Sequence, residues 1–302
     1  MQKYVPVDEK IVDQIKGDIF QEIYKAGKIP DSRLLRQLLR NVLHKPVNNF
    51  SQFVARLDAL IREFGFVEAA RVAINELSGG SRSFGMERIP VHGPLIIASN
   101  HPGTYDGFAL IKNFKREDLK IIVSGVPFFR NLPHASKYLI YSTQDVHDRT
   151  QAIRNSVAHL QKGGAVLIFP SGRIDPDPAV LPGADKALSM WSQSVLLFLR
   201  KVPSASLILA ITSGVLSKEF AQHPYPKLFR NDHERRRVME FMQVIKQMVR
   251  GKPVSVDPCV SFSKPIPINM HSKSVEEMRK QILAQATALL SRHKMEFSLP
   301  QF

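Results

Sequence analysis

From Ile89 onward the chain alternates short apolar runs with longer stretches of helical periodicity, and this alternation limits the possible folds more than any other feature. Apolar runs fall near residues 94–99, 119–124, 138–142, 165–169, 206–212 and 256–262, and helical stretches near 106–115, 148–161, 184–200 and 232–250. Such alternation predicts an α/β fold, a mixed sheet flanked by helices. Ser274 with Glu277 forms a capping-box pattern, opening a closing helix that ends near Arg292 and turns Val275, Met278, Ile282 and Leu289 to the core. Residues 1–85 read as helices instead. Ile11, Ile15, Ile19 and Ile23 recur at every fourth position, with Val12 and Phe20 widening the apolar face. After the Pro30-Asp31 start signal, Leu34, Leu35, Leu38, Leu39, Val42 and Leu43 make a stripe, with Arg33, Arg36, Arg40 and His44 around it. Further helical patterns cover Phe50 to Phe64 and Val67 to Leu77, and Gly79-Gly80-Ser81 with Ser83 and Gly85 reads as a linker. The expected organisation is a helical N-terminal region, 1–85, and an α/β domain, 86–302, without internal repeats.

The stretch Asn100 to Gly107, NHPGTYDG, follows the apolar run Leu95-Ile96-Ile97-Ala98-Ser99. Pro102 and Gly103 make a turn, and Phe108 to Ile111 begins a helix, so His101 and Asp106 share a strand-to-helix corner. Ligands bind at such corners in open α/β sheets. An imidazole there can remove a proton from a hydroxyl while the carboxylate fixes its tautomer. The bland alternative for a pair at this spacing is a histidine that caps a turn.

The same octapeptide resembles the His-x4-Asp signature of the glycerolipid acyltransferases, the glycerol-3-phosphate and lysophosphatidic acid acyltransferases. Residues Gly163 to Arg173, GGAVLIFPSGR, resemble the family's third block, with Ser171 where that block usually has Glu and the Arg one place earlier. The Pro-Ser-Gly form, followed by Arg173 and Asp175, is closer to soluble plastid-type glycerol-3-phosphate acyltransferases. Val126-Pro127-Phe128-Phe129 resembles the family's Ile-Pro-Phe-Phe segment, and Tyr138 to Ser142 the strand before its second-block Arg. That Arg is missing from its usual place, and either Arg149 or Arg130 can supply the charge. Ser206 to Thr212 has the fourth block's strand without its prolines. The resemblance covers roughly residues 90–265.

It implies acyl transfer from acyl-CoA or acyl carrier protein to a hydroxyl of glycerol 3-phosphate or a lysophospholipid, with His101 as general base and Asp106 orienting it. Gly103 and Thr104 are then expected to contribute oxyanion N–H groups. Arg173, with Ser171 and Gly172, is the expected phosphate contact, the alternative being an ion pair of Arg173 with Asp175 or Asp177. Lys186 is a second phosphate candidate or else a solvated helical residue. Val126, Phe128 and Phe129 line an acyl groove or belong to the core. No cofactor beyond the acyl donor is expected.

Composition limits the remaining classes. The net charge of +15, from 42 basic and 27 acidic residues, favours an anionic partner: acidic lipid, coenzyme A, acyl carrier protein, a phosphorylated substrate or nucleic acid. No nucleic-acid-binding module is visible, and nucleic acid is not an expected partner. The histidines lack metal-ligand spacing, so no metal is expected. Gly-x-Ser-x-Gly, P-loop and Gly-x-Gly-x-x-Gly patterns are absent. The single Cys259 suits a reducing compartment. No apolar run reaches the roughly 18 residues of a spanning helix. The basic leucine helix either lies in a membrane interface or docks on the domain. The expected location is cytoplasmic, with peripheral contact to the inner face of a membrane. Two other readings remain: an acyltransferase-fold protein acting on a lipid acceptor without phosphate, and a basic membrane- or nucleic-acid-binding protein without catalysis.

Overall fold

A computed structural model describes residues 5–26, 29–124, 127–143, 145–267 and 274–300. Three helices come first, α1 (Glu9–Ala26), α2 (Arg33–Phe64) and α3 (Phe66–Ser78). The sheet then runs through β1 (Arg82–Phe84), β2 (Leu95–Ser99), β3 (Leu119–Val123), β4 (Leu139–Tyr141), β5 (Ala165–Ile168), β6 (Ser206–Ser213) and β7 (Cys259–Phe262). Between the strands lie α4 (Asp106–Ile111), α5 (Pro127–Arg130), α6 (Val146–Gln161), α7 (Ala184–Ser189), α8 (Ser194–Lys201), α9 (Lys218–Ala221) and α10 (Asp232–Arg250), and α11 (Val275–Glu296) closes the chain.

The sheet order is β1-β7-β6-β2-β5-β3-β4, parallel throughout except where β7 runs antiparallel to β6. Every residue of β2 and β5 is buried, which explains why their sequences are unbroken apolar runs. The mixed α/β expectation is therefore met. On one face of the sheet Ile97, Leu95 and Leu167 share a core with Ala70, Ala73 and Ile74 of α3 and with Val12 and Ile15 of α1. On the other, Ile96, Leu207 and Leu209 pack against Phe198 of α8 and Ile282 and Leu289 of α11. The N-terminal helices thus form one wall of the sheet's own core.

Several boundaries differ from the sequence reading. Residues 82–84, expected in a linker, form β1 and pair with β7. The two helices expected on either side of Pro46 are one helix of 32 residues. Pro46 cannot donate to the carbonyl four residues back, but Val47 beside it is buried with Phe20 and Tyr24 of α1, so packing carries the helix past the missing bond. The stretch near 184–200 splits into α7 and α8, and α11 extends to Glu296. The Ser274–Glu277 capping box is present in both directions.

Candidate active site

The loops that leave the carboxyl ends of β2 and β5, neighbouring parallel strands, meet above the sheet. The Asn100 carboxamide donates to the Thr212 carbonyl (2.8 Å) and accepts from the Thr212 N–H (2.7 Å), which fastens the start of the β2 loop to β6. His101 N–H donates to Asp175 Oδ2 (2.9 Å) and Asp175 N–H donates to the His101 carbonyl (2.7 Å), tying the β2 loop to the β5 loop. The backbone of His101 is therefore fixed on both sides before its ring makes any contact.

The ring is fixed as well. Its Nδ1 lies 2.7 Å from Oδ2 of Asp106, the first residue of α4, whose side chain is buried. Phe169 stacks against the imidazole at 4.4 Å between centroids. Nε2 has no hydrogen-bond partner among the described residues. Burial opposes a charge on His101, but the Asp106 carboxylate outweighs it, with Glu240 and Asp175 adding to the effect, and the pKa is raised to about 9. An imidazole so held keeps a proton on Nδ1, facing Asp106, and exchanges its second proton at Nε2.

The expected oxyanion role of Gly103 and Thr104 is not what the structure shows. Gly103 N–H donates to Asp106 Oδ2 (3.1 Å), while the Thr104 hydroxyl donates to Glu240 and its backbone N–H acts on the same carboxyl. The Gly103 N–H and the Thr104 hydroxyl thus both face carboxylates. Gly103 also leaves room for that carboxyl, since a Cβ there would come within 3.1 Å of Glu240 Oε1.

In the β5 loop the Ser171 hydroxyl lies between the Arg173 carbonyl (3.0 Å) and Asp175 Oδ2 (3.1 Å). Gly172 adopts the left-handed conformation, φ 61°, that such a tight turn favours. Burial pushes the Asp175 carboxyl up to about 6, opposed by its bonds from the His101 N–H and Ser171. Asp177 is fully buried and accepts four backbone N–H groups, from Ala179 and Gly214 on one oxygen and Val215 and Leu216 on the other, at 2.8–2.9 Å. Neither aspartate pairs with Arg173, so the ion pair considered for Arg173 does not form. Its guanidinium is exposed and has no partner among the described residues.

The remaining candidates scatter. Lys186 is solvated on α7, as its bland reading held. Arg130 lies over the Tyr141 ring (5.2 Å) at the end of β4 and 3.8 Å from Asp148, and Arg149 is exposed on α6. No hydrogen bond or ion pair among the described residues joins either to His101 or Arg173. Val126 lies outside the described residues. Phe128 and Phe129 are half-buried against the core, Phe128 edge-on to Phe50 at 5.9 Å.

Sequence reading missed the contribution of α10. His233, Arg236, Glu240, Gln243 and Gln247 recur at alternating steps of three and four, so they share one helix face. Arg236 donates to the Ile174 carbonyl (2.7 Å), and Glu240 receives Thr104. Gln243 bridges the Ser217 N–H and the Val215 carbonyl, and Gln247 connects Tyr105 to the Leu77 carbonyl. The available signal was that spacing within the helical stretch read near 232–250.

A His–Asp pair at the carboxyl ends of parallel strands, with a free Nε2, is an arrangement able to exchange a proton with a bound group. Residues 81–212 match the family model described as Acyltransferase. A search of the curated proteins gives no match. Among solved structures the chain resembles the 1-acyl-sn-glycerophosphate (LPA) acyltransferase PlsC from Thermotoga maritima, at 12% identity and a TM-score of 0.45, over 94% of this chain and 93% of that one.

Proposed function

We propose that this acyltransferase domain moves a fatty acyl group from an acyl thioester, acyl-CoA or acyl carrier protein, to a hydroxyl of glycerol 3-phosphate or a lysophospholipid. The observation that carries the reading is the 2.7 Å His101–Asp106 bond with Nε2 left free. Nε2 takes the proton of the acceptor hydroxyl as its oxygen attacks the thioester carbonyl. The tetrahedral intermediate then collapses with cleavage of the C–S bond, and the imidazolium returns the proton to the departing thiolate. Asp106 stabilises the imidazolium throughout. Arg173, exposed at the Ser171-Gly172 turn, receives the acceptor's phosphate as a fork of two N–H donors.

An anionic membrane surface is the proposed partner for the N-terminal helices. Leu34 and Leu38 are 85% and 60% exposed and Val42 67%, with Arg33 beside them. Leu39 and Leu43 turn instead to α1. The protein is thus proposed to act from the cytoplasmic side, in peripheral contact with lipid.

Purified protein given a panel of acyl thioesters with glycerol 3-phosphate, lysophosphatidate or a monoacylglycerol tests this reading, with products identified by mass spectrometry. An acyl ester of a phosphate-bearing acceptor is expected. Thioester hydrolysis with no acylated acceptor contradicts it, and acylation of the monoacylglycerol alone removes the phosphate.

A further inference from the structure

We propose that α10 supplies the second half of the anion site, the guanidinium of Arg236 closing on the acceptor's phosphate from the side opposite Arg173. The inference rests on the acyl-transfer reading and extends it to a helix beyond residues 81–212, the stretch matched by the family model.

The placement follows from short covalent paths. Arg236 Nε is bonded at 2.7 Å to the carbonyl of Ile174, the residue that follows Arg173 and precedes Asp175. Asp175 is in turn hydrogen-bonded to the backbone of His101 in both directions. Arg236 is thus anchored within one peptide unit of Arg173 and one hydrogen bond of the base. Its anchor uses only Nε. The two terminal nitrogens have no partner among the described residues, although the side chain is half-buried.

Acidic neighbours do not account for this free fork. Asp175 is engaged by the His101 N–H and Ser171, and Asp232 by Arg235 at 3.0 Å. The cluster carries several cations close together. Burial and the neighbouring Arg237, Arg236 and Arg173 depress the pKa of His233; burial lowers that of Arg236, Asp175 and Asp232 oppose the fall, and Arg173 adds a smaller lowering. A half-buried guanidinium with an unused fork, anchored one residue from the exposed Arg173, suits a dianionic phosphate, which takes a bidentate bond. Ser171 is too short to reach far into this space and bonds inward to Asp175, which leaves the outer side of the turn to the two arginines.

The test compares Arg236→Gln, Arg236→Lys and Arg173→Ala, each checked for folding by thermal unfolding. Acylation of lysophosphatidate and of monoacylglycerol is measured, together with calorimetric binding of inorganic phosphate. Arg236→Gln is expected to raise the KM for lysophosphatidate about tenfold or more, to leave the thioester KM near wild type and to weaken phosphate binding. Arg236→Lys can keep the bond to Ile174 but lacks the fork, so it recovers little. A variant carrying both Arg173→Ala and Arg236→Gln should lose less than the two single losses combined, because both arginines hold one phosphate. If wild-type protein acylates only monoacylglycerol, the acceptor reading itself fails. If lysophosphatidate is used and Arg173→Ala raises its KM while Arg236→Gln moves neither that KM nor phosphate binding, the α10 proposal alone is overturned. Full rescue by lysine, or a loss confined to the thioester KM, overturns it as well.

Discussion

The strand-end loops and α10 hold their functional groups by different means. In the loops the backbone does most of the holding: His101 donates its N–H to the Asp175 carboxylate and accepts the Asp175 N–H on its carbonyl, Asn100 is bonded to the Thr212 backbone, and Asp177 to four N–H groups. On α10 each inward residue reaches its partner through a long side chain, Arg236 to a carbonyl and Glu240 to a hydroxyl. Backbone-held groups fix atoms to within fractions of an ångström, which proton transfer requires. The α10 side chains instead brace the loops from outside, Gln243 bridging the Ser217 N–H and the Val215 carbonyl. The two regions meet at the β5 loop, where Arg236 of α10 bonds the Ile174 carbonyl beside Arg173.

The largest effect should come from the backbone-held side. Replacing His101 with Ala removes the base and should lower kcat at least about a hundredfold with the fold intact, measured by steady-state turnover beside circular dichroism. If the loss is no greater than that of an α10 substitution, the contrast between loops and helix collapses. A second expectation sharpens the structural half of the comparison. Asp177→Asn keeps the shape but turns an amide toward buried N–H donors, and should cost about 3 kcal/mol or more in urea unfolding. Gly214, one of the four donors, is itself fixed as glycine, because a Cβ there would collide with the Asp257 carbonyl. An unchanged urea midpoint would mean that Asp177 does not hold the loop.

The smallest effect concerns α2, where packed and free side chains again separate. Arg36 and Arg40 lie over Tyr24 and Phe20, so they belong to the contact between α1 and α2. Arg33, Leu34 and Leu38 do not. Co-sedimentation with vesicles containing acidic phospholipid should weaken about tenfold for Leu34→Ser with Leu38→Ser, and more mildly with Arg33→Glu or rising salt. Binding indifferent to the leucines would assign it to net charge alone.

The sheet and the His101–Asp106 corner were legible because buried parallel strands are written as unbroken apolar runs and turns as Pro and Gly. Strand β1 was not, because Arg82-Ser83-Phe84 is short, lies at the edge, and takes its place from pairing with β7. The continuity of α2 past Pro46 was hidden for a related reason: tertiary packing outweighs a local breaker there. The α10 face escaped because its inward residues are polar, and polarity reads as solvent exposure unless the partners are known. Oxyanion roles for Gly103 and Thr104 failed on direction, since a turn's composition does not say where its N–H groups point.

The central claim is that Asp106 holds His101 as the proton acceptor, and the pH dependence of kcat/KM tests it most directly. Only neutral imidazole can take the proton, and Asp106 raises the His101 pKa to about 9. Wild-type kcat/KM should therefore climb with pH and level off only near or above 9. In Asp106→Asn the remaining burial favours the neutral ring, so the limb should move to lower pH while the plateau falls, the asparagine no longer fixing the tautomer. A limb at the same pH in both proteins, or a wild-type profile flat from pH 6 to about 10, would contradict the account.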